Sequence, residues 1–329
     1  MTLFELTKIL INIPSITEEE GQLAHFLSNY LKDAGFQVLQ QEIGLARKNI
    51  LATMHQKPRV ILNTHLDTVP PFIPAKEDET YIYGRGACDA KGIIAAMIFA
   101  LVNLKNKGVK EVGLLLVVGE ETDSIGAKKA NHLEVGSDYI IVGEPTSNTL
   151  GKGHRGLITL KLHASGKAAH SALPHLGESA IDKLINALYK IRKLDLGTSE
   201  LGQSSLNIGR IDGGVAHNVI ADSASSVISI RNSVPSETII KKITKSINNL
   251  VEIDVLTQSE PQFTYTLPDM EQTILPFSTD IPYLKNFGKP LLIGPGSAEV
   301  AHTANEKIEK TQLNQAVDIY QNLTITLLN

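Results

Sequence analysis

His65-Leu66-Asp67 closes an apolar run in the first quarter of the chain, and Asp89, the pair Glu120-Glu121, Glu144 and His302 follow at widely separated points. Each comes just after a stretch that reads as a buried strand. Strands of one parallel sheet deliver their C-terminal ends to a single edge, where α/β proteins build their sites. Carboxylates converging there with two histidines would repel one another unless something positive sat among them. A pair of divalent metal ions is the economical filler.

Each segment has its own chemistry. His65 and Asp67 lie two apart, so in extended chain their side chains share a side, and one can bind a metal while the other orients it. A capped strand end is the plainer alternative for that pair. In Gly84-Arg85-Gly86-Ala87-Cys88-Asp89-Ala90-Lys91-Gly92, Asp89 falls just before a helix. It can serve there as an N-cap worth about 1 kcal/mol. Alternatively, kept ionised by the helix N-terminus, it can bridge two cations. Cys88 reads as small buried filler rather than a nucleophile. Val117-Val118-Gly119-Glu120-Glu121 sets two carboxylates after apolar positions. Neighbours in extended chain point to opposite sides, so one can hold metal while the other faces the substrate as a base. Ile140-Ile141-Val142-Gly143-Glu144-Pro145 repeats the pattern with one carboxylate, and a glycine-rich turn from Gly294 leads to His302. Gly151-Lys152-Gly153-His154-Arg155-Gly156 matches a dinucleotide-binding turn, but Leu157 to Leu162 then reads as a strand. Without a helix N-terminus there is no seat for a phosphate.

The elements that must position these groups alternate. Thr17-Glu18-Glu19-Glu20 reads as a capping box, followed by apolar residues at helical spacing up to Gly35. Strands are expected over Asn49 to Met54, Arg59 to Asn63, Val112 to Val118 and Tyr139 to Val142. Helices are expected over Ala90 to Lys105 and Ser124 to His132. Such alternation implies a mostly parallel sheet covered on both faces. After Gly156 the rhythm changes. Strand Leu157 to Ala164, helix Glu178 to Leu194, strands Ser205 to Ile211 and Val219 to Arg231, helix Pro235 to Leu250 and strand Val251 to Leu256 complete a β-α-β-β-α-β unit. From about Pro261 the chain returns to the first domain, ending in strand Pro290 to Ile293 and a helix from Lys310. The expected fold class is α/β: a mostly parallel sheet flanked by helices, residues 1–155 and 261–329, with an inserted ferredoxin-like α+β lid domain, residues 156–260.

Bulk properties exclude several function classes. The 329 residues are 42% hydrophobic and 20% charged, with a formal charge of −4 and no basic run, which gives no footprint for nucleic acid. No apolar stretch is long enough to span a bilayer. Met1-Thr2-Leu3-Phe4-Glu5 lacks the basic region and cleavage site of a signal peptide. Cys88 is the only cysteine, which fits a reducing compartment, so the cytoplasm is expected.

Together, Asn63-Thr64-His65-Leu66-Asp67, Gly84 to Gly92, Gly119-Glu120-Glu121, Gly143-Glu144-Pro145-Thr146, Ala169-His170-Ser171-Ala172-Leu173-Pro174 and Gly294-Pro295-Gly296-Ser297 with Ala301-His302-Thr303 resemble one family in its own order. This is the family of dinuclear zinc amidohydrolases and metallopeptidases that includes acetylornithine deacetylase, succinyl-diaminopimelate desuccinylase, aminoacylase and glutamate carboxypeptidase. The match covers essentially the whole chain. The resemblance implies two Zn2+ ions, with Co2+ or Mn2+ accepted by the same ligand types. One would be held by His65 and Glu144, the other by Glu121 and His302, with Asp89 between them. Asp67 would bind the far nitrogen of His65, and Glu120 would be the general base. His170, from the lid, would stabilise the oxyanion. Arg231 would clamp a substrate carboxylate and Asn218 would make nearby polar contacts. A cis peptide is implied between Asp89 and Ala90.

Thr279-Asp280-Ile281-Pro282 and the Gly294 to Thr303 segment look most like acetylornithine deacetylase, although Ser278 stands where relatives commonly carry glycine. The expected activity is therefore hydrolysis of the amide of an N-acyl amino acid, with N-acetylornithine first and arginine biosynthesis as the setting. Succinyl-diaminopimelate desuccinylation and dipeptide cleavage are the nearest alternatives, and a catalytically silent metal-binding protein is the non-enzymatic one. The expected partners are a small-molecule substrate and a second copy paired through the lid, with no nucleic acid and no membrane.

Overall fold

Four short strands run side by side in the sheet of the first of two units, the last of them at its edge. Val112–Val117, Val60–His65, Tyr139–Val142 and Lys289–Leu292 are hydrogen-bonded in that order, all parallel. Burial on both faces accounts for the apolar run of the inner strands, and Val60–His65 and Val112–Val117 are buried at every position. Arg47–Thr53 and Gln37–Gly44 extend this sheet to six strands in antiparallel register, so the sheet is mixed. The computed structural model describes residues 1–44, 46–54 and 57–329. The first unit comprises Met1–Lys152, Thr264–Thr273 and Thr279–Asn329, and the second Gly153–Phe263 with Ile274–Ser278.

The helix Lys91–Asn106 is buried around nearly its whole circumference, from Lys91 through Ile98 without a break. It packs on the central strands and between the helices Leu3–Asn12 and Lys310–Leu328. Ala95, Ala96 and Ala100 keep its surface low enough for that approach.

The helix expected after Thr17 differs from expectation at its start. The Thr17–Glu20 box does not form; the helix runs Gly21–Asp33 with no side-chain cap at Glu20. Both residues are drawn to stronger tertiary partners. The Glu20 carboxylate takes a bidentate bond from Arg47, at 2.7 and 2.9 Å, and the Thr17 hydroxyl donates to Asp67 at 2.8 Å. Charge-assisted bonds of this kind are about twice as strong as neutral ones. A genuine capping box stands earlier, where Thr2 and Glu5 cap Leu3–Asn12 reciprocally.

The second unit has its own core. Its elements follow the order Leu157–Ser165, helix Ala180–Arg192, Ser205–Gly213, Ser223–Arg231, helix Ser236–Ile247, Glu252–Ser259. The four long strands form one antiparallel sheet with Ser223–Arg231 and Leu157–Ser165 in the middle. Ile158, Leu160, Leu162 and Ala164 alternate inward with Ala224, Ile228 and Ile230. Leu184, Leu188 and Ile191 on one helix, and Ile239, Ile243 and Ile247 on the other, recur at helical spacing and share that core. The Gly151–Gly156 segment lies in the strand Leu150–His154 and the turn after it, and the next element is again a strand. No helix opens there to receive a phosphate.

Candidate metal centre

Parallel alignment brings the C-terminal ends of these four strands to one edge. His65 is the last residue of its strand, Glu120 and Glu121 follow Val112–Val117, and Glu144 follows Tyr139–Val142. His302 lies beyond Lys289–Leu292, and Asp89 enters from the segment preceding Lys91–Asn106. The peptide between Asp89 and Ala90 is cis.

The side chains meet. His65 Nε2 lies 2.9 Å from one oxygen of Asp89. His302 Nε2 lies 3.0 Å from Glu121 Oε1 and 3.3 Å from the other Asp89 oxygen. Asp89 thus stands between the two imidazoles. Ligand atoms of His65, Asp89 and Glu121 all fall within 4.8 Å of one another. Glu144 is buried, and the charges of Asp89, His65 and Glu121 act on its carboxyl. His302 is half exposed, whereas His65 is fully buried.

The electrostatics describe a cluster that demands positive charge. Burial and the neighbouring Glu144 push the Glu120 carboxyl well above the usual range. Burial and Asp89 do the same to Glu144. Burial raises Glu121 as well, against the pull of His302. Burial would also raise Asp89, but the flanking His302 and His65 hold it below its ordinary value. Hydrogen bonds to Asp89 and Glu121 lift His302 to about 10. For His65, burial pulls the pKa down, yet Asp67 and Asp89 outweigh it and the net shift is upward. Protonation is thus favoured on Glu120, Glu144 and both imidazoles, the pattern of a buried acidic cluster that positive charge stabilises. Divalent cations supply such charge. Two imidazole nitrogens with several carboxylate oxygens form a donor set suited to Zn2+ and also compatible with Co2+ or Mn2+.

The Asp67 carboxylate pairs with His65 Nδ1 at 3.6 Å, within ion-pair distance but too long for a hydrogen bond. The backbone carbonyl of Asp67 takes that place, accepting from Nδ1 at 3.0 Å and leaving Nε2 toward the cluster. The carboxylate is occupied elsewhere. It accepts the backbone N–H groups of Gly119, Glu120 and Glu121 at 2.9, 3.1 and 3.2 Å, besides the Thr17 hydroxyl. Asp67 therefore fixes the loop that carries both glutamates. That loop turns at Gly119, whose φ of 78° is left-handed and whose added Cβ would meet Arg47 Nη2 at 2.8 Å.

His170, Asn218 and Arg231 all belong to the second unit. His170 ends the short strand Ala169–His170, paired with Val219–Ile220, and its exposed ring accepts the N–H of Ala172 at 3.0 Å. The exposed Asn218 receives the N–H of Ser171 on its carbonyl at 3.0 Å. Arg231 closes the strand Ser223–Arg231 half-buried, and burial alone lowers its pKa.

Asp280 was not singled out as a site residue from the sequence. It is buried, its carboxyl is pushed up to about 7 chiefly by burial, and it acts on both Glu120 and Glu144. The signal for it in the sequence is the Thr279-Asp280-Ile281-Pro282 segment, which carries resemblance but assigns Asp280 no role. Asp is too common at turns for that pair to stand out alone.

Residues 61–326 match the model of peptidase family M20/M25/M40. A peptidase M20 domain-containing protein of Schizosaccharomyces pombe is 39% identical over 98% of this chain and 84% of its own length. A probable carboxypeptidase of Emericella nidulans is 32% identical over 98% of this chain and 89% of its own. Among solved structures, a tripeptidase from Staphylococcus aureus shares the fold with a TM-score of 0.84, covering 99% of this chain and 98% of that one at 23% identity. Among the described residues, no helix is long and apolar enough to cross a membrane. The matched span runs from the strand that ends in His65 to the last helix, and on it this chain belongs to peptidase family M20/M25/M40, a family of hydrolases.

Proposed function

We propose that the protein hydrolyses the amide bond of a small linear substrate carrying a free carboxylate, either a short peptide or an N-acyl amino acid, with two divalent ions. The observation that carries this reading is the meeting of His65, Asp89, Glu121 and His302 at one sheet edge beside Glu120 and Glu144. His65 and Glu144 would hold one ion, Glu121 and His302 the other, with Asp89 between them. When bound, the ions, Zn2+ in the first instance, would polarise the amide carbonyl and lower the pKa of a shared water toward about 7. Glu120 takes the water proton. Burial and the neighbouring Glu144 favour its protonated form, the form it reaches in this step. The same carboxyl returns that proton to the departing amine. The carbonyl of Asp67 keeps His65 in the tautomer that presents Nε2, and its carboxylate holds Glu120 and Glu121 at their stations.

We read the second unit as a ferredoxin-like lid, residues 156–260, that supplies His170 as an oxyanion donor, with Asn218 beside it for polar contacts. Arg231 is the candidate for the substrate carboxylate, since it is a half-buried guanidinium whose planar fork suits a bidentate anionic ligand. Lid-mediated pairing of two copies belongs to the same reading. The names of the relatives, a probable carboxypeptidase and a tripeptidase, favour a peptide as substrate. Deacetylation of N-acetylornithine is the second reading, favoured by Thr279-Asp280-Ile281-Pro282 and the Gly294 to Thr303 segment.

A panel of dipeptides, tripeptides, N-acetylornithine and succinyl-diaminopimelate, each with zinc or cobalt supplied, decides between them. Turnover is expected to disappear when the substrate carboxylate is amidated. Glu120→Gln should keep the metal content while lowering kcat by about 10²–10⁴. No cleavage of any free-carboxylate amide by the metal-loaded protein would overturn the proposal.

A further inference from the structure

Arg85 and Glu306 form an ion pair that the chemistry above does not use, and both side chains are almost wholly withdrawn from solvent. Arg85 Nη1 donates to Glu306 Oε2 at 2.6 Å. The other oxygen, Oε1, accepts the successive backbone N–H groups of Cys88 and Asp89, each at 3.2 Å. Two consecutive peptide N–H groups closing on one anion form a nest. The guanidinium reaches further, donating to the carbonyls of Pro71 and Thr303, each at 3.3 Å. Thr303 follows His302, whose φ of 63° lies in the left-handed region that a non-glycine residue keeps only when its surroundings hold it there. The backbone carbonyl of Glu306 in turn accepts the N–H of Gly84 at 3.1 Å. One buried pair therefore grips the peptide that carries Asp89 and the peptide that follows His302.

Stability is a weak explanation for such a pair, because apolar residues of similar volume often replace a buried salt bridge without loss. We propose that Arg85 and Glu306 are a positioning pair that presets the backbone at Asp89 and His302, so that both side chains await the metal ions in place. This rests on the reading of Asp89 and His302 as metal ligands. Partners behind the ligands commonly change metal affinity by about 10–100-fold when removed.

The experiment uses the full-length protein, zinc and a chromophoric chelator, with no substrate, alongside amide hydrogen exchange of the metal-free protein. The variants are Glu306→Gln, which keeps a neutral acceptor, and the double substitution Arg85→Met with Glu306→Leu, which removes both charges together. Both variants are expected to melt cooperatively. The double variant should lose about 10–100-fold in zinc affinity and exchange faster at Cys88 and Asp89. Glu306→Gln should show a smaller loss in the same direction, because its acceptor is uncharged. Either folded variant matching the wild type within about twofold, with unchanged exchange at Cys88 and Asp89, would overturn the positioning role. A wild-type protein that fails to take up two zinc ions would instead overturn the metal reading itself, and this one with it.

Discussion

At the scale of single residues, the cluster gathers more negative charge than its two imidazoles balance, and Asp280 makes this measurable without any substrate. Burial pushes its carboxyl up to about 7. The ordinary value, near 3.8, describes the unfolded chain. The folded state therefore favours the protonated form. Stability linked to Asp280 is fully present below about pH 4 and is lost as the pH rises through about 7. In metal-free protein, Asp280→Asn should melt within a degree or so of wild type near pH 4 and higher than it above pH 7. The difference corresponds to at most about 4 kcal/mol. A gap in Tm that stays constant from pH 4 to pH 8 would show that Asp280 does not titrate in this way.

At the scale of elements, the glutamates work because short strands end where they do. Gly143 separates Tyr139–Val142 from Glu144, and a Cβ there would meet Ile93 Cγ2 at 2.5 Å and Met97 Cε at 2.6 Å. Gly143→Ala forces the strand end away from the helix Lys91–Asn106 and carries Glu144 with it. Overpacking of this kind costs about 1–3 kcal/mol. Urea melts should show that loss, and zinc titration should show weaker binding. Native stability combined with native zinc affinity would mean that the strand end tolerates the methyl group.

The same scale shows what the chain states openly. Val112–Val117 and Tyr139–Val142 are legible because strands buried on both faces must be continuously apolar. The second unit is legible through alternation, as in Leu157–Ser165. Leu3–Asn12 was not anticipated, although its capping box is as plain as the one at Thr17 that failed. Only the competition of Arg47 and Asp67 for Glu20 and Thr17 tells the two apart, and those contacts are long-range. The ligand candidates could be read from where they stand after strands. The grip of Asp67 on three backbone N–H groups could not, because it depends on how two loops fold against each other. Glu306 was hidden for the same reason.

At the scale of the whole molecule, residues from position 65 to position 302 contribute to one cluster, while a separate core organises the second unit. Every proposed metal ligand lies in the first unit. Ions that bind only the folded form stabilise it by RT ln(1 + [L]/Kd), about 2.7 kcal/mol at a hundredfold excess over Kd. That stabilisation is thermodynamically tied to the unit whose unfolding scatters the ligands. Chelation should therefore accelerate amide exchange in Val60–His65 and Val112–Val117, whose ends carry His65 and the glutamate loop. Leu157–Ser165 and Ser223–Arg231 have no ligand among their residues and should keep their protection. Restoring zinc should return the first pair of strands to slow exchange. Exchange mass spectrometry of metal-free and zinc-loaded protein separates the two units peptide by peptide. Equal acceleration in both sets of strands would mean that the units unfold as one, and no acceleration in either would mean that the ions contribute nothing to the fold.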